Sequence, residues 1–73
     1  MNTATPLALH ITLNGAPHTL PVGATVADAI ALIAATPPYA AAVNRSFVPR
    51  SAHASHVLKP HDQIEVIRPV TGG

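Results

Sequence analysis

The sequence predicts an α+β fold in which one helix covers one face of a small mixed sheet, with the elements in the order ββαβββ. Three observations support this. Residues 7–13 alternate apolar and polar side chains before Asn14-Gly15, apolar residues recur at helical spacing from Val26, and short strand-like segments follow. A period of two indicates a half-buried strand, and a period near 3.6 indicates an amphipathic helix. One helix on one sheet face is an α+β arrangement.

The first two strands are predicted to form a hairpin. Asn-Gly is the dipeptide preferred in a type I′ turn, because both central residues need positive φ. With Asn14-Gly15 as the loop, the second strand covers 16–20. The predicted opposite pairs are Leu13 with Ala16, Ile11 with His18, and Leu9 with Leu20. Pro17 lacks an amide hydrogen, so this strand is expected at a sheet edge, with His18 half-buried.

The helix is predicted to begin after Thr25. Its hydroxyl can accept a hydrogen bond from the amide of Asp28, whose carboxylate is placed to complete a capping box. The residues expected to pack on the sheet are Val26, Ala29, Ile30 and Ile33. Thr36-Pro37-Pro38 is expected to end the helix, because proline cannot continue it.

Two short strands are predicted next, at 41–44 and 47–50, joined by Arg45-Ser46. Pro49 again indicates an edge. Residues 51–58 have no clean period and predict a loop with one helical turn, followed by a turn at 59–62.

The last strand is predicted over 63–70 and parallel to the first strand. Ile64 and Val66 are expected to face the helix, whereas Glu65 and Ile67 face outward.

Composition limits the classes of function. A chain of 73 residues is predicted to be a single domain, 1–73. The absence of cysteine excludes disulfides and thiolate sites, and in a small domain it favours the cytoplasm. Four basic against three acidic residues cannot form the positive face that nucleic acid binding needs. The longest apolar segment is too short to span a bilayer, so neither nucleic acid nor membrane is an expected partner.

The sequence ends in Gly72-Gly73. Without side chains, this backbone could thread a narrow channel and present the Gly73 α-carboxylate to an active site. A carboxylate ionised at pH 7 is a poor electrophile. It would need activation by a partner, typically as a mixed anhydride with the α-phosphate of ATP. The alternative is a frayed end of small residues without a role.

Several segments, in order, carry a family resemblance. They are Ala42-Val43-Asn44, Phe47-Val48-Pro49-Arg50, His61-Asp62-Gln63-Ile64-Glu65-Val66 and Arg68-Pro69-Val70-Thr71-Gly72-Gly73. With the hairpin and the Thr25-Val26 helix start, they resemble the ubiquitin-like β-grasp sulfur carriers, in particular the ThiS family of thiamine biosynthesis, over almost the whole chain. The turn Lys59-Pro60-His61-Asp62 departs from the acidic-glycine turn expected there.

The resemblance implies a β-grasp fold and a carrier that is a co-substrate of partner enzymes, with no catalytic residue, metal or bound cofactor of its own. An adenylating enzyme similar to ubiquitin-activating enzymes would use ATP and Mg to convert the Gly73 carboxylate to an acyl-adenylate. A persulfide, from a cysteine desulfurase or another donor, would then leave a thiocarboxylate. Thiazole synthase would consume that sulfur.

The resemblance also implies how partners recognise the carrier. A flexible tail, 69–73, would be recognised through Val70, Thr71 and Gly72 as well as Gly73. Ubiquitin-like carriers meet partners through the open sheet face near the tail, which implies a partner surface of Glu65, Ile67 and Arg68. Ile67 is the expected anchor because it is apolar yet faces outward; an ordinary surface hydrophobe is the alternative.

Other functions remain open at this level. The molybdopterin-synthase small subunit shares the Ala-Val-Asn and Gly-Gly features, although Val48-Pro49-Arg50 favours the thiamine carriers. A carrier for tRNA thiolation, a protein modifier conjugated through Gly73 and a plain binding module are further alternatives. His53, His56 and His61 invite a metal hypothesis, but without thiolates a four-ligand zinc site is not expected.

Overall fold

The computed structural model describes residues 8–68, and residues 1–7 and 69–73 lie outside this range. In chain order, the elements are β1 (Ala8–Leu13), β2 (Ala16–Pro21), α1 (Val26–Leu32), β3 (Ala40–Val43), β4 (Ser46–Val48), a 3₁₀ turn (Arg50–Ala52) and β5 (Gln63–Ile67). The predicted ββαβββ order is confirmed, as is the single helical turn expected between β4 and β5.

The five strands form one mixed sheet in the order β2-β1-β5-β3-β4. β5 is parallel to β1 and antiparallel to β3, and both hairpins are antiparallel. The central position of β5 matches the prediction that the last strand lies beside the first. The edge strands are β2 and β4, as Pro17 and Pro49 predicted, because proline cannot donate to a ladder.

The predicted hairpin register is confirmed in full. Leu13 lies opposite Ala16, Ile11 opposite His18 and Leu9 opposite Leu20. Asn14 has φ 51° and Gly15 has φ 85°, the positive values that a type I′ turn requires. His18 is half-buried.

The core lies between α1 and one face of the sheet. Inward side chains alternate along the strands, and in β5 they are the predicted Ile64 and Val66. The largest fully buried side chains are Leu13, Ile64 and Val26. The remaining buried apolar residues are Leu9, Ile11, Leu20, Ala24, Ala29, Ile30, Ala41, Val43, Val48 and Leu58.

The start of α1 is as predicted. The amide of Asp28 donates to Thr25 Oγ1 at 3.4 Å, and the amide of Thr25 donates to Asp28 Oδ2 at 2.8 Å. Two further amides of the first turn reach the segment before β5. Val26 N donates to the carbonyl of His56, and Ala27 N donates to that of His53, both at 3.0 Å.

The end of α1 differs from the prediction. The helix ends at Leu32, and Ile33 is 40% exposed instead of packed on the sheet. Ile33 is the C-cap, and Ala34 has φ 50°, so the chain turns out of the helix before the prolines. Thr36 is biased away from helical φ/ψ by the following proline, which leaves no room for a further complete turn.

The β3–β4 connection lies one residue earlier than predicted. Its turn residues are Asn44 (φ 50°) and Arg45 (φ 71°), and Ser46 is already in β4. Asn tolerates positive φ, and the Asn44 amide donates to the carbonyl of Gln63 at 2.8 Å, which fixes it at the corner. β4 ends at Val48, because Pro49 caps the 3₁₀ turn that begins at Arg50.

The predicted strand at 63–70 is observed as Gln63–Ile67, and Val70 lies outside the described residues. Within residues 8–68, no helix is long and apolar enough to cross a membrane.

Candidate functional site

The sheet face opposite α1 is uncovered in the described part of the chain, and we call it the open face. Because side chains alternate across a strand, the neighbours of each buried residue point to this side. The register places on it His10 and Thr12 from β1, Gln63, Glu65 and Ile67 from β5, Ala40 and Ala42 from β3, and Phe47 from β4. The predicted outward directions of Glu65 and Ile67 are confirmed.

One half of the open face is apolar. Phe47 lies opposite Ala42, and Ile67 lies opposite Ala40. Phe47 is 68% exposed and Ile67 is 60% exposed, whereas the two alanines between them are half-buried. We call these four residues the apolar patch; Ile67, its member in β5, is the last residue of that strand, and Phe47 lies in the same row as Glu65.

The sequence interpretation singled out Ile67 but not Phe47. Phe47 and Val48 are consecutive and both apolar, so the pattern alone does not say which of them faces outward. The signal lies in pairing: once Val48 is opposite the buried Ala41, Phe47 must point to the open face.

The other half of the open face is polar. A cavity of about 350 Å³ is lined there by Thr12, Gly15, Arg45, Gln63, Ile64 and Glu65. Its wall therefore includes one side chain of each charge, Arg45 and Glu65. Arg68, the last described residue, is exposed, so it is accessible as the predicted partner surface requires.

A hydrogen-bonded cluster fixes the start of β5. The Asp62 carboxylate accepts from Asn44 Nδ2 at 2.9 Å and from the amide of Lys59 at 2.8 Å, while Asn44 Oδ1 accepts from the amide of Gln63 at 3.0 Å. Asp62 is 7% exposed, so its acceptors are satisfied where water is largely excluded. These hydrogen bonds hold the turn Lys59-Pro60-His61-Asp62, which departs from the family pattern, in a closed conformation. They also fix the start of β5, so that its odd-numbered residues face the open side.

His53 has a structural role in this fold. It is 6% exposed, its Nε2 lies 3.0 Å from the carbonyl oxygen of Val48, and its ring stacks on Tyr39 with centroids 6.0 Å apart. The ring thus points into the core rather than towards a shared ligand with His56. Between residues 8 and 68, no group of three or more His, Cys, Asp or Glu side chains could hold a metal ion.

The predicted tail residues lie outside the described residues. These are the modified Gly73 and the recognition residues Val70, Thr71 and Gly72. Their roles remain predictions.

Comparison with known proteins gives a family and a fold. A family model described as the ThiS family matches residues 11–73. The crystal structure of the thiamine biosynthesis protein (ThiS) from Geobacter metallireducens is similar, with a TM-score of 0.73 and 22% identity. The match covers 89% of this chain and 100% of that one. No curated protein sequence matches significantly. The mixed five-stranded sheet with one helix is thus a β-grasp fold.

Proposed function

Because the chain belongs to the ThiS family, whose members are small sulfur carriers, we propose that it carries sulfur for the thiazole ring of thiamine as a thiocarboxylate on Gly73. The observation that carries this proposal is the family match, which extends through the Gly-Gly segment to residue 73. The carrier would act as a co-substrate, and the reacting groups would belong to its partners.

The chemistry needs no side chain of the carrier. A Gly73 carboxylate oxygen attacks the α-phosphate of Mg-bound ATP, forming the acyl-adenylate and releasing pyrophosphate. The terminal sulfur of a protein persulfide, formed by a cysteine desulfurase or another donor, attacks the acyl carbon and displaces AMP. A thiol then cleaves the sulfur–sulfur bond and leaves the thiocarboxylate for thiazole synthase. Because ATP and reduced thiols are both required, the proposal places the protein in the cytoplasm.

The open face is the proposed docking surface for these partners. Exposed apolar side chains grouped on one sheet face are typical of interaction sites. Ile67 of the apolar patch is the last residue of β5, so a partner that contacts Ile67 and Phe47 would bind close to the end of the strand that precedes the tail in sequence. Recognition of Val70, Thr71 and Gly72 would then direct Gly73 to the active site.

The decisive experiment is the intact mass of the protein after incubation with ATP, Mg, an adenylating enzyme and a persulfide donor. The expected result is the exchange of one oxygen for sulfur, located to Gly73 by fragmentation. Reactions without ATP, and a variant with one residue added after Gly73, are the controls and should remain unmodified. An unmodified wild-type chain beside an adenylating enzyme that modifies its own carrier would refute the proposal.

The same reaction separates the alternatives. Transfer of the sulfur to thiazole synthase supports the thiamine carrier, whereas transfer only to a molybdopterin precursor or a tRNA identifies a carrier of another pathway. Covalent joining of Gly73 to lysines of other proteins identifies a modifier.

A further inference from the structure

β5 has an open backbone edge along its last residues, on the side where β1 ends. The parallel ladder between these strands contains two pairs, Thr12 with Gln63 and Leu13 with Ile64. The chain then turns away at Asn14 to form the β1–β2 hairpin. On its other side, β5 remains paired with β3 as far as Ile67. Within the described residues, therefore, no strand lies beside Val66–Arg68 on the β1 side.

The direction of each backbone group follows from the observed hydrogen bonds. The Asn44 amide donates to the Gln63 carbonyl at 2.8 Å, so the odd-numbered residues of β5 bond to β3. The Asn14 amide donates to the Ile64 carbonyl at 2.9 Å, so the even-numbered residues face the β1 side. The carbonyl of Val66 and, by the same alternation, the amide of Arg68 point to the open edge.

Asn14 supplies the first group that a missing strand would provide. Its Oδ1 accepts from the amide of Val66 at 2.8 Å, across 52 residues of sequence. A side chain thus satisfies the first β5 amide that faces the β1 side beyond the last paired residue, Ile64. The next acceptor and donor, Val66 O and Arg68 N, have the spacing that one residue of an added strand would bridge.

The sequence blocks strand addition elsewhere on the sheet. β2 carries Pro17 and Pro21, and β4 has three residues and is followed by Pro49; short strands and prolines are devices that protect sheet edges. On the β3 side of β5, an extended chain would next offer the amide of residue 69, which is proline and has no N–H.

Gly15 directly follows Asn14, whose side chain bonds to this edge. Gly15 lines the polar cavity together with Ile64 and Glu65. A Cβ built on Gly15 would meet no heavy atom within 4 Å.

We propose that an extended segment of the adenylating partner pairs with the Val66–Arg68 edge on the β1 side and adds a strand to the sheet. This inference rests on the proposed function, since the partner must align the following tail with ATP. Main-chain pairing gives affinity with little dependence on side-chain identity. The added segment would run beside the tail and restrict its direction before Gly73 reaches the active site.

The test compares Arg68→Pro with Arg68→Ala in adenylation kinetics with the adenylating enzyme and ATP. Both changes remove the guanidinium, but only proline removes the amide hydrogen that the added strand would use. We expect kcat/KM for Arg68→Pro to be about five- to tenfold below that of Arg68→Ala, the effect of losing one main-chain hydrogen bond. Hydrogen exchange should show protection of the Arg68 amide in the wild-type complex.

A second pair of variants tests the space beside the edge. Gly15→Asn keeps a residue that tolerates positive φ but adds a side chain next to the edge, whereas Gly23→Asn makes the same change in the turn before α1. Only Gly15→Asn should slow adenylation, by several-fold, while both remain folded by circular dichroism.

The failures are distinguishable. A wild-type chain that is never adenylated overturns the proposed function and this inference with it. A wild-type chain that is adenylated, with equal rates for Arg68→Pro and Arg68→Ala and an unprotected Arg68 amide, overturns the strand addition alone.

Discussion

The two faces of the sheet have different physical tasks although consecutive residues of the same strands build them. In β5, Ile64 is 1% exposed on the covered face, whereas Ile67 is 60% exposed on the open face. The covered face holds the fold together, whereas the open face leaves the side chains of Phe47 and Ile67 in contact with water. Two isoleucines three residues apart should therefore respond to truncation in different ways, one through stability and one through binding.

The largest expected effect is the loss of core packing in Ile64→Ala. A buried isoleucine truncated to alanine costs about 2–5 kcal/mol, which is a large part of the stability of a small domain. Urea unfolding should show the midpoint fall steeply or the folded baseline disappear. The matched control is Ile67→Ala, which should change the free energy of unfolding by about 0.5 kcal/mol or less. Equal losses for both would mean that the two faces are not as different as the exposures indicate.

The next effect concerns His53, the most deeply buried of the histidines. In His53→Phe, the stack on Tyr39 can persist, but the Val48 carbonyl loses the Nε2 donor at 3.0 Å. Losing this buried side-chain hydrogen bond should lower the free energy of unfolding by about 1–1.5 kcal/mol. Thermal unfolding of His53→Phe and of His56→Phe, a change at a half-buried ring, provides the comparison. If His56→Phe is the more destabilising, the role assigned to the His53–Val48 contact is wrong.

A smaller effect is expected at the cap of the covering helix. Thr25→Ala removes the hydroxyl that accepts from the Asp28 amide, which should cost about 1 kcal/mol. Because α1 has only seven residues, packing on the sheet contributes more to it than its own propensity does. The exposed Thr36→Ala is the control and should leave the urea midpoint unchanged. A midpoint for Thr25→Ala equal to that of the control would exclude a stabilising cap.

The assignment of side chains to the covered or the open face could be predicted from the sequence wherever neighbouring residues determine the local structure. The period of two in β1 and β5, the Asn14-Gly15 turn and the Thr25 cap depend on neighbouring residues, and each was confirmed. These elements were sufficient to predict the fold class and the outward direction of Ile67.

Apart from the early end of α1, the differences from the prediction occurred where contacts distant in sequence decide the conformation. Asn44 occupies the β3–β4 turn because it bonds to Gln63 and Asp62, which are 19 and 18 residues away. The outward side of Phe47 depends on the pairing between β3 and β4, and the open edge at Val66–Arg68 depends on where β1 stops beside β5. The pairing of β3 with β4 and of β1 with β5 cannot be read from a single sequence, so Ile67 was predicted to face outward but Phe47 was not.

The smallest effect on stability, and the sharpest test of the comparison, is expected at the apolar patch. Ile67→Thr and Phe47→Thr replace exposed apolar side chains with a polar residue that favours strands, so each should change the free energy of unfolding by about 0.5 kcal/mol or less.

If the patch docks partners, each variant should raise KM for the adenylating enzyme by tenfold or more, since apolar anchors at the centre of an interface typically contribute about 1–2 kcal/mol or more. Val22→Thr is the matched control, because Val22 is 58% exposed but lies in the turn before α1. Unchanged KM values in both patch variants would show that exposure alone does not make this face an interface, and a fall in stability as large as that of Ile64→Ala would reverse the assignment of the two faces.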